Sequence, residues 1–310
     1  MIYTCTITPS IDYTNYLPSF NSGKLNRSKE VYYYPGGKGI NVSRVLKRLG
    51  TQSKALGFTG GFTGNYIEEF LKKEGVDTDF IMVDGITRIN VKIKAAEETE
   101  LNGPGPDLTG NQLGQLTEKV RDMKQGDWFV LAGSLPDSIP SAYFIELAEI
   151  CKRQNVRFVL DTSGPALKEL VKTQPFLIKP NEEELGELFG IEITGKQEAY
   201  VYAKKLVGIG VRHVIVSMGG EGALLVAKDL AITAEAPKGR VVNTVGSGDS
   251  LISGFIASLS KGQNVQEAFK YGVASGSATA FCSDLCERAD VEQLLQQVEL
   301  YPYSGQDVTK

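Results

Sequence analysis

Polar and apolar residues change rhythm several times along the 310-residue chain. Ile2 to Ile7 alternates and is rich in β-formers, which predicts an opening strand that ends by Pro9. Tyr13 to Tyr34 predicts one or two exposed strands, broken by the turn residues Asn21-Ser22-Gly23. After Pro35-Gly36-Gly37-Lys38-Gly39, the stretch from Ile40 to Leu49 has amphipathic helical spacing and is closed by Gly50. A strand at 55–58, a helix at 66–74 and a strand at 80–83 follow. Arg88 to Ala96 then alternates cleanly, with Ile89, Val91, Ile93 and Ala95 set against Asn90, Lys92 and Lys94. That rhythm predicts a strand with one face in water. Leu101 to Asp107 reads as a Gly/Pro-rich loop.

From Trp128 onward the pattern repeats strand, turn, helix. Strands at 128–132, 157–160, 176–179, 213–217 and 223–226 are interleaved with helices at 142–154, 182–189 and 197–207. Three more helical stretches follow, at 246–259, 269–280 and 291–299. This alternation predicts βα units: an α/β chain with a mostly parallel sheet covered by helices on both faces. The segments at 13–34 and 88–101 predict a small sheet beside that core, within a single domain spanning 1–310. There is no long linker and no internal repeat.

Composition narrows the chemistry. The formal charge of -4 and a pI near 5.4 do not suggest a general nucleic-acid binder. No run of 18 apolar residues predicts a membrane span, and the N-terminus lacks the basic-then-apolar order of a secretory leader, so a cytoplasmic protein is expected. Cys5, Cys151, Cys282 and Cys286 show no zinc-like spacing and read as thiols of a reducing compartment. The lone His213 excludes multi-histidine metal sites and any Ser-His-Asp triad built elsewhere. It stands directly before an apolar strand, where a structural role is expected. The 34 glycines, about 11% where about 7% is usual, point to tight turns and close backbone approach.

Those glycines gather at loops that open helices. Asn243-Thr244-Val245-Gly246-Ser247-Gly248-Asp249-Ser250 is the strongest such signal. Successive N–H groups at a helix start can cradle an anion, and Asp249 would hang over the cradle as a base for a hydroxyl. The plain alternative is a glycine turn with Asp249 as a cap. The stretch is neither a phosphate loop ending in Lys-Ser/Thr nor a dinucleotide fingerprint. Gly36-Gly37-Lys38-Gly39 is a second loop of this kind, with Asn41 in the following turn. Ser217-Met218-Gly219-Gly220-Glu221-Gly222 could wrap a nucleotide or close a hairpin. In Lys179-Pro180-Asn181-Glu182-Glu183-Glu184 the spacing of Asn181 and Glu184 lets them face one way, either to hold Mg²⁺ through waters or to shape a helix start. Asp12 follows the first strand, where it could accept hydrogen bonds from a polyol or cap a turn. Arg27, Lys38 and Arg88 could form a phosphate cluster or be three solvated charges.

Taken together these motifs resemble the ribokinase-like, or PfkB, family of carbohydrate kinases. The similar pieces run nearly end to end: 8–13, 35–46, 87–92, Gly133-Ser134-Leu135-Pro136, 179–184 and 244–250. The resemblance implies a three-layer α/β/α core with a small β-sheet lid that also forms a homodimer contact. It implies ATP-dependent phosphorylation of a sugar hydroxyl with Mg²⁺. Within the family the 87–92 stretch is most similar to the branch acting on fructose 1-phosphate, with tagatose 6-phosphate as the competing substrate. The resemblance makes Asp249 the base and Gly246, Ser247 and Gly248 the anion hole. Asp12, Gly37, Lys38, Asn41, Asn90, Ser134 and Asp161 fall on the sugar side, with Arg27 and Arg88 at the substrate's phosphate. Lys179, Asn181, Glu184, Ser217, Gly219, Gly220, Gly222 and Thr244 fall on the nucleotide side, with Asn181 and Glu184 nearest the metal. A sugar-phosphate sensor that has lost catalysis is the contrasting reading, and it sits poorly with an intact Asp249 and glycine loop.

Overall fold

The continuous apolar runs become the centre of an 11-stranded sheet in the computed structural model, which describes residues 1–305. Asp77–Thr78, Lys54–Thr59, Ile2–Thr6, Trp128–Ala132, Arg157–Asp161, Leu177–Ile178 and His213–Ser217 lie side by side and parallel, in that order. Ile81–Met82 extends the pairing of Lys54–Thr59. Ala223–Ala227, Leu230–Ala234 and Leu300–Pro302 continue the other edge antiparallel.

The central strands are apolar throughout because both their faces are covered. Trp128–Ala132 is buried at every position. Phe129 and Leu131 pack with the helices Gly110–Arg121, Ser141–Gln154, Gly164–Leu170, Glu182–Phe189 and Lys196–Gly208. Trp128 and Val130 pack on the opposite side with Lys38–Arg48, Ser247–Ser260, Val265–Ala280 and Arg288–Leu295. The result is a three-layer α/β/α architecture. Small residues let Ser247–Ser260 and Val265–Ala280 lie almost in backbone contact: a Cβ on Gly272 would sit 2.8 Å from the Leu251 carbonyl oxygen.

A separate four-stranded sheet stands beside this core, in the order Glu30–Gly36, Ser10–Tyr16, Arg88–Lys94, Glu98–Asn102. Ser10–Tyr16 and Arg88–Lys94 are parallel, and the outer pairs are antiparallel. The strand begins at Ser10 rather than Tyr13, and the last strand, five residues of mainly polar edge, had no apolar signal. The alternation in Arg88–Lys94 does mark a two-faced strand, but its polar positions Asn90 and Lys92 are removed from water. Asn90 and Lys92 are buried at 8%, whereas Ile89 is 40% exposed. Its polar face is turned inward because a polar cleft lies beneath it, while on the apolar face Ile89 is exposed, Val91 half-buried and Ile93 buried.

Three further differences have local causes. The helix predicted from residue 66 starts at Gly61: Gly60, Gly61 and Gly64 carry no apolar period, yet each fits closely against neighbouring atoms. Gly110–Arg121 was not predicted, since two glycines dilute its apolar stripe. The last helix is Arg288–Leu295, nucleated by a reciprocal cap between Glu287 and Asp290, rather than 291–299. Among the described residues no helix is long and apolar enough to cross a membrane.

Candidate active site

The parallel strands end along one rim, where open α/β sheets present their loops to ligands. Gly133, Asp161, Lys179 and Ser217 stand there at or just beyond strand ends, and Lys38 opens its helix beside Gly133 and Asp161. Two cavities open along the rim. One, of about 390 Å³, is roofed by the small sheet and lined by Asp12, Lys38, Asn41, Arg88, Asn90 and Ser134, among others. The other, of about 1090 Å³, is a longer groove that carries an apolar wall of Val241, Leu251, Val273 and Phe281. Asn181, Ser217 and Gly248 line both.

The 243–250 turn lies on that seam. Gly246 has φ 80, a conformation that costs a side chain but not glycine, and it is the residue from which Ser247–Ser260 starts. The Ser247 N–H closes the turn by donating to the Thr244 carbonyl oxygen at 3.2 Å, so of the expected anion-hole residues it is Gly248 whose N–H stands in the first turn at the positive end of a 14-residue helix. Asp249, in the first turn, is 5% exposed, and the Asn41 amide donates to its Oδ2 at 2.8 Å. Burial, then the nearby Asp161 charge, pushes its carboxyl up to about 6, against the opposing pull of Lys38, Asn41 and Lys179. Such a group can take up a proton near neutrality. The other loop is shaped similarly. Gly37 has φ 115, and a Cβ there would meet the Thr6 side chain at 2.5 Å.

Under the small sheet, Asp12 accepts from Ser10 Oγ at 2.8 Å and Asn90 Nδ2 at 3.2 Å, and its other oxygen is 3.3 Å from Lys92 Nζ. Two buried polar atoms there, Arg88 Nε and Asn90 Oδ1, have no protein partner. Burial pulls the Arg88 guanidinium down from its usual value, with Asp12 opposing. Ser10 and Lys92 were not singled out from sequence. The signal for Lys92 was present: it shares a strand face with Arg88 and Asn90 by period-two spacing.

Thr244, Ser217, Gly219, Gly220 and Gly222 line the groove. Gly219–Glu221 forms a single 3-10 turn between antiparallel strands, so the loop closes a hairpin and also lines the groove. Asn181 and Glu184 cap their helix reciprocally: Glu184 N–H donates to Asn181 Oδ1 at 2.7 Å, and Asn181 N–H to Glu184 Oε2 at 2.9 Å. Glu184 Oε1 lies 4.0 Å from Lys38 Nζ. Among the described residues no group of three or more His, Cys, Asp or Glu could hold a metal ion by itself.

Two expected sugar-side residues are placed elsewhere. Arg27 is exposed in the connection between two strands of the small sheet and does not line the cleft of its own chain. Asp161 is only 2% exposed and lies behind the cleft wall, against Lys38 and Lys179. His213 is buried on its strand beside Phe176 and Phe255, and burial lowers it to about 4. All four cysteines are free.

A glycine turn opening a helix, with a buried carboxylate beside it and set between a small polar cleft and a long groove, suits an enzyme that moves a charged group between two small molecules. The chain belongs to the pfkB family of carbohydrate kinases, whose pattern it matches over residues 6–291. The 1-phosphofructokinase of Bacillus subtilis (strain 168) is 52% identical over 300 residues, covering 97% of this chain and 99% of that protein. A D-tagatose-1-phosphate kinase of Bacillus licheniformis is 36% identical over 301 residues, covering 97% and 99%. The crystal structure of phosphofructokinase-2 from Escherichia coli in complex with fructose-6-phosphate matches with a TM-score of 0.90, covering 96% of this chain and 98% of that one at 30% identity. Like its family, the protein is an ATP-dependent kinase.

Proposed function

We propose that this kinase transfers the γ-phosphoryl group of ATP to the 6-hydroxyl of D-fructose 1-phosphate, giving D-fructose 1,6-bisphosphate and ADP. The observation that carries the reading is the position of the Gly246–Asp249 turn on the seam of two cavities. The sugar phosphate occupies the smaller cleft and ATP the groove, with its base along the apolar wall. Asp249 takes the proton of the attacking hydroxyl. The Gly248 N–H at the helix start, with Lys38 and Lys179, faces the charge that develops on the transferred group. Asp12 and Asn90 orient sugar hydroxyls. Mg²⁺ fits one feature of the chain: Glu184 Oε1 is left over from the helix cap and faces the cleft, whereas Asn181 Oδ1 is committed to that cap. Glu184, with Asn181 beside it, would hold the ion through water, and the ion would neutralise polyphosphate charge. The small sheet acts as a lid that keeps water from the nucleotide. Its outward row of Tyr33, Tyr13, Val91 and Leu101, with Leu101 58% exposed, supports the expectation that it also pairs two copies of the chain.

The choice of fructose 1-phosphate is supported by the Bacillus subtilis relative. D-Tagatose 1-phosphate is the second reading, favoured by the Bacillus licheniformis relative, and it is a stronger competitor than tagatose 6-phosphate. ADP release measured in parallel with fructose 1-phosphate, fructose 6-phosphate and the two tagatose phosphates tests the choice. The highest kcat/KM is expected for fructose 1-phosphate, and a preference for D-tagatose 1-phosphate or for either 6-phosphate overturns it. Arg88 is the proposed anchor of the existing phosphate, because its Nε is buried without a partner at the cleft. Arg88→Ala is expected to raise KM for the sugar phosphate by about 30- to 100-fold, the loss of a charge-assisted contact, with KM for ATP little changed. An unchanged sugar-phosphate KM removes Arg88 from that role.

A further inference from the structure

We infer that Asp161 is a positioning residue that holds Lys38 and Lys179 in place for the phosphoryl group in transfer, and that it does not touch the sugar; the inference rests on the kinase reading above. The strand that ends at Asp161 is buried along Phe158, Val159 and Leu160, so its last side chain is a carboxylate taken out of water. Such a charge persists only if it is compensated. The compensation is two ammonium groups, one on each oxygen: Lys38 Nζ at 3.4 Å and Lys179 Nζ at 3.5 Å. Burial alone would raise the carboxyl, and Lys179 and Lys38 outweigh it and hold it below its usual value.

The geometry differs from that of a structural ion pair in the same protein. Arg44 grips Glu74 at 2.7 and 2.8 Å, the range of charge-assisted hydrogen bonds. Both Asp161 oxygens, by contrast, are buried with no hydrogen-bond donor in place. The two lysines are thus attracted to a common anion without being locked to it. Their other sides face the reaction. Lys38 is 36% exposed and lines the smaller cleft. Lys179 also lines the cleft and lies against the glycine turn, where a Cβ on Gly248 would come within 2.8 Å of its Nζ. Asp161 itself is absent from both cavity walls. A buried anion behind two cations fixes where they point, so that they already face an incoming polyphosphate when it arrives.

Asp161→Asn in the full-length enzyme is the test, assayed with ATP, magnesium and fructose 1-phosphate. The expected result is a fall in kcat of about 10- to 100-fold with KM for the sugar phosphate changed less than about threefold. The acidic limb of kcat should move to lower pH, because Asp161 is one of the charges facing Asp249, with Lys38 and Lys179, and it raises that carboxyl. In a Lys38→Met background the same substitution should cost much less than it does alone. A rise in sugar-phosphate KM with kcat retained would show that Asp161 contacts the substrate, and additive effects with Lys38→Met would show that it does not act through that lysine; either overturns the inference. Should Asp161→Asn fail to fold by circular dichroism, Asp161→Glu decides: kcat within about tenfold of wild type supports the role of the charge, and a fall in binding of sugar phosphate alone overturns it. Failure of the kinase reading is distinct, since the unaltered enzyme would then transfer no phosphate to any of the four sugar phosphates.

Discussion

Asp249→Asn is expected to lower kcat by about 10³-fold while KM for ATP stays within about twofold, as loss of a general base predicts. The substitution keeps size and leaves an oxygen that can still accept from Asn41, so it removes the base without emptying the site. In the unaltered enzyme kcat should rise with pH through about 6, where the buried carboxyl loses its proton and becomes able to take one from the sugar. The asparagine variant should lack that limb. Stability should move the other way. A carboxyl held up to about 6 from an ordinary 3.8 favours the folded state while protonated, and that contribution is lost as pH rises through about 6. At pH 8 wild type therefore carries the cost of a buried charge that the variant does not. The variant's thermal midpoint at pH 8 should equal or exceed that of wild type. Near-normal turnover would remove Asp249 as the base; low turnover with a lower midpoint would point to misfolding instead.

The order of strands and helices was legible because each central strand is covered on both faces and so reads as an unbroken apolar run, as in Trp128–Ala132. The glycine turn before Ser247–Ser260 was legible because anion cradles need residues that can leave the ordinary backbone regions. What sequence could not give was direction. Alternation in Arg88–Lys94 identified a two-faced strand, but whether water lay against Asn90 and Lys92 or against Ile89 depended on the rim beneath it. The same holds for Asp161, whose position at a strand end was plain while its burial behind Lys38 and Lys179 was set by three separate elements. Asn181 and Glu184 carried two meanings at once, helix cap and cleft carboxylate, and the structure shows that one glutamate can serve the cap with one oxygen and face the cleft with the other.

Arg44 shows the same dependence on distant elements, and its removal is expected to have the largest effect on stability. The guanidinium is 2% exposed. It donates to Glu74 at 2.7 and 2.8 Å and to Asp284 at 3.0 Å, and its carbon lies 5.3 Å from the centre of the Phe70 ring. Arg48 shares both carboxylates, at 3.2 and 2.8 Å. Four charges thus tie the helix Lys38–Arg48 to the end of the next helix and to the 282–287 loop. That loop reaches the reaction, because Leu285 packs where a Cβ on Gly246 would come within 2.5 Å of it. Arg44→Met fills the volume but leaves two carboxylates sharing one arginine, and about 3–5 kcal/mol of stability should be lost, the usual cost of breaking a buried pair. Arg44→Lys should recover only part, since an ammonium cannot grip two carboxylates in a planar fork. Glu74 and Asp284 are both held below their ordinary values, with burial opposed by Arg44 and Arg48. Their contribution is present above the usual carboxylate range and is lost as pH falls below it. Urea unfolding of wild type and Arg44→Met should therefore differ widely at pH 7 and converge as both carboxylates protonate. A gap that persisted unchanged into acid would assign the loss to packing against Phe70 and Tyr34 and not to charge.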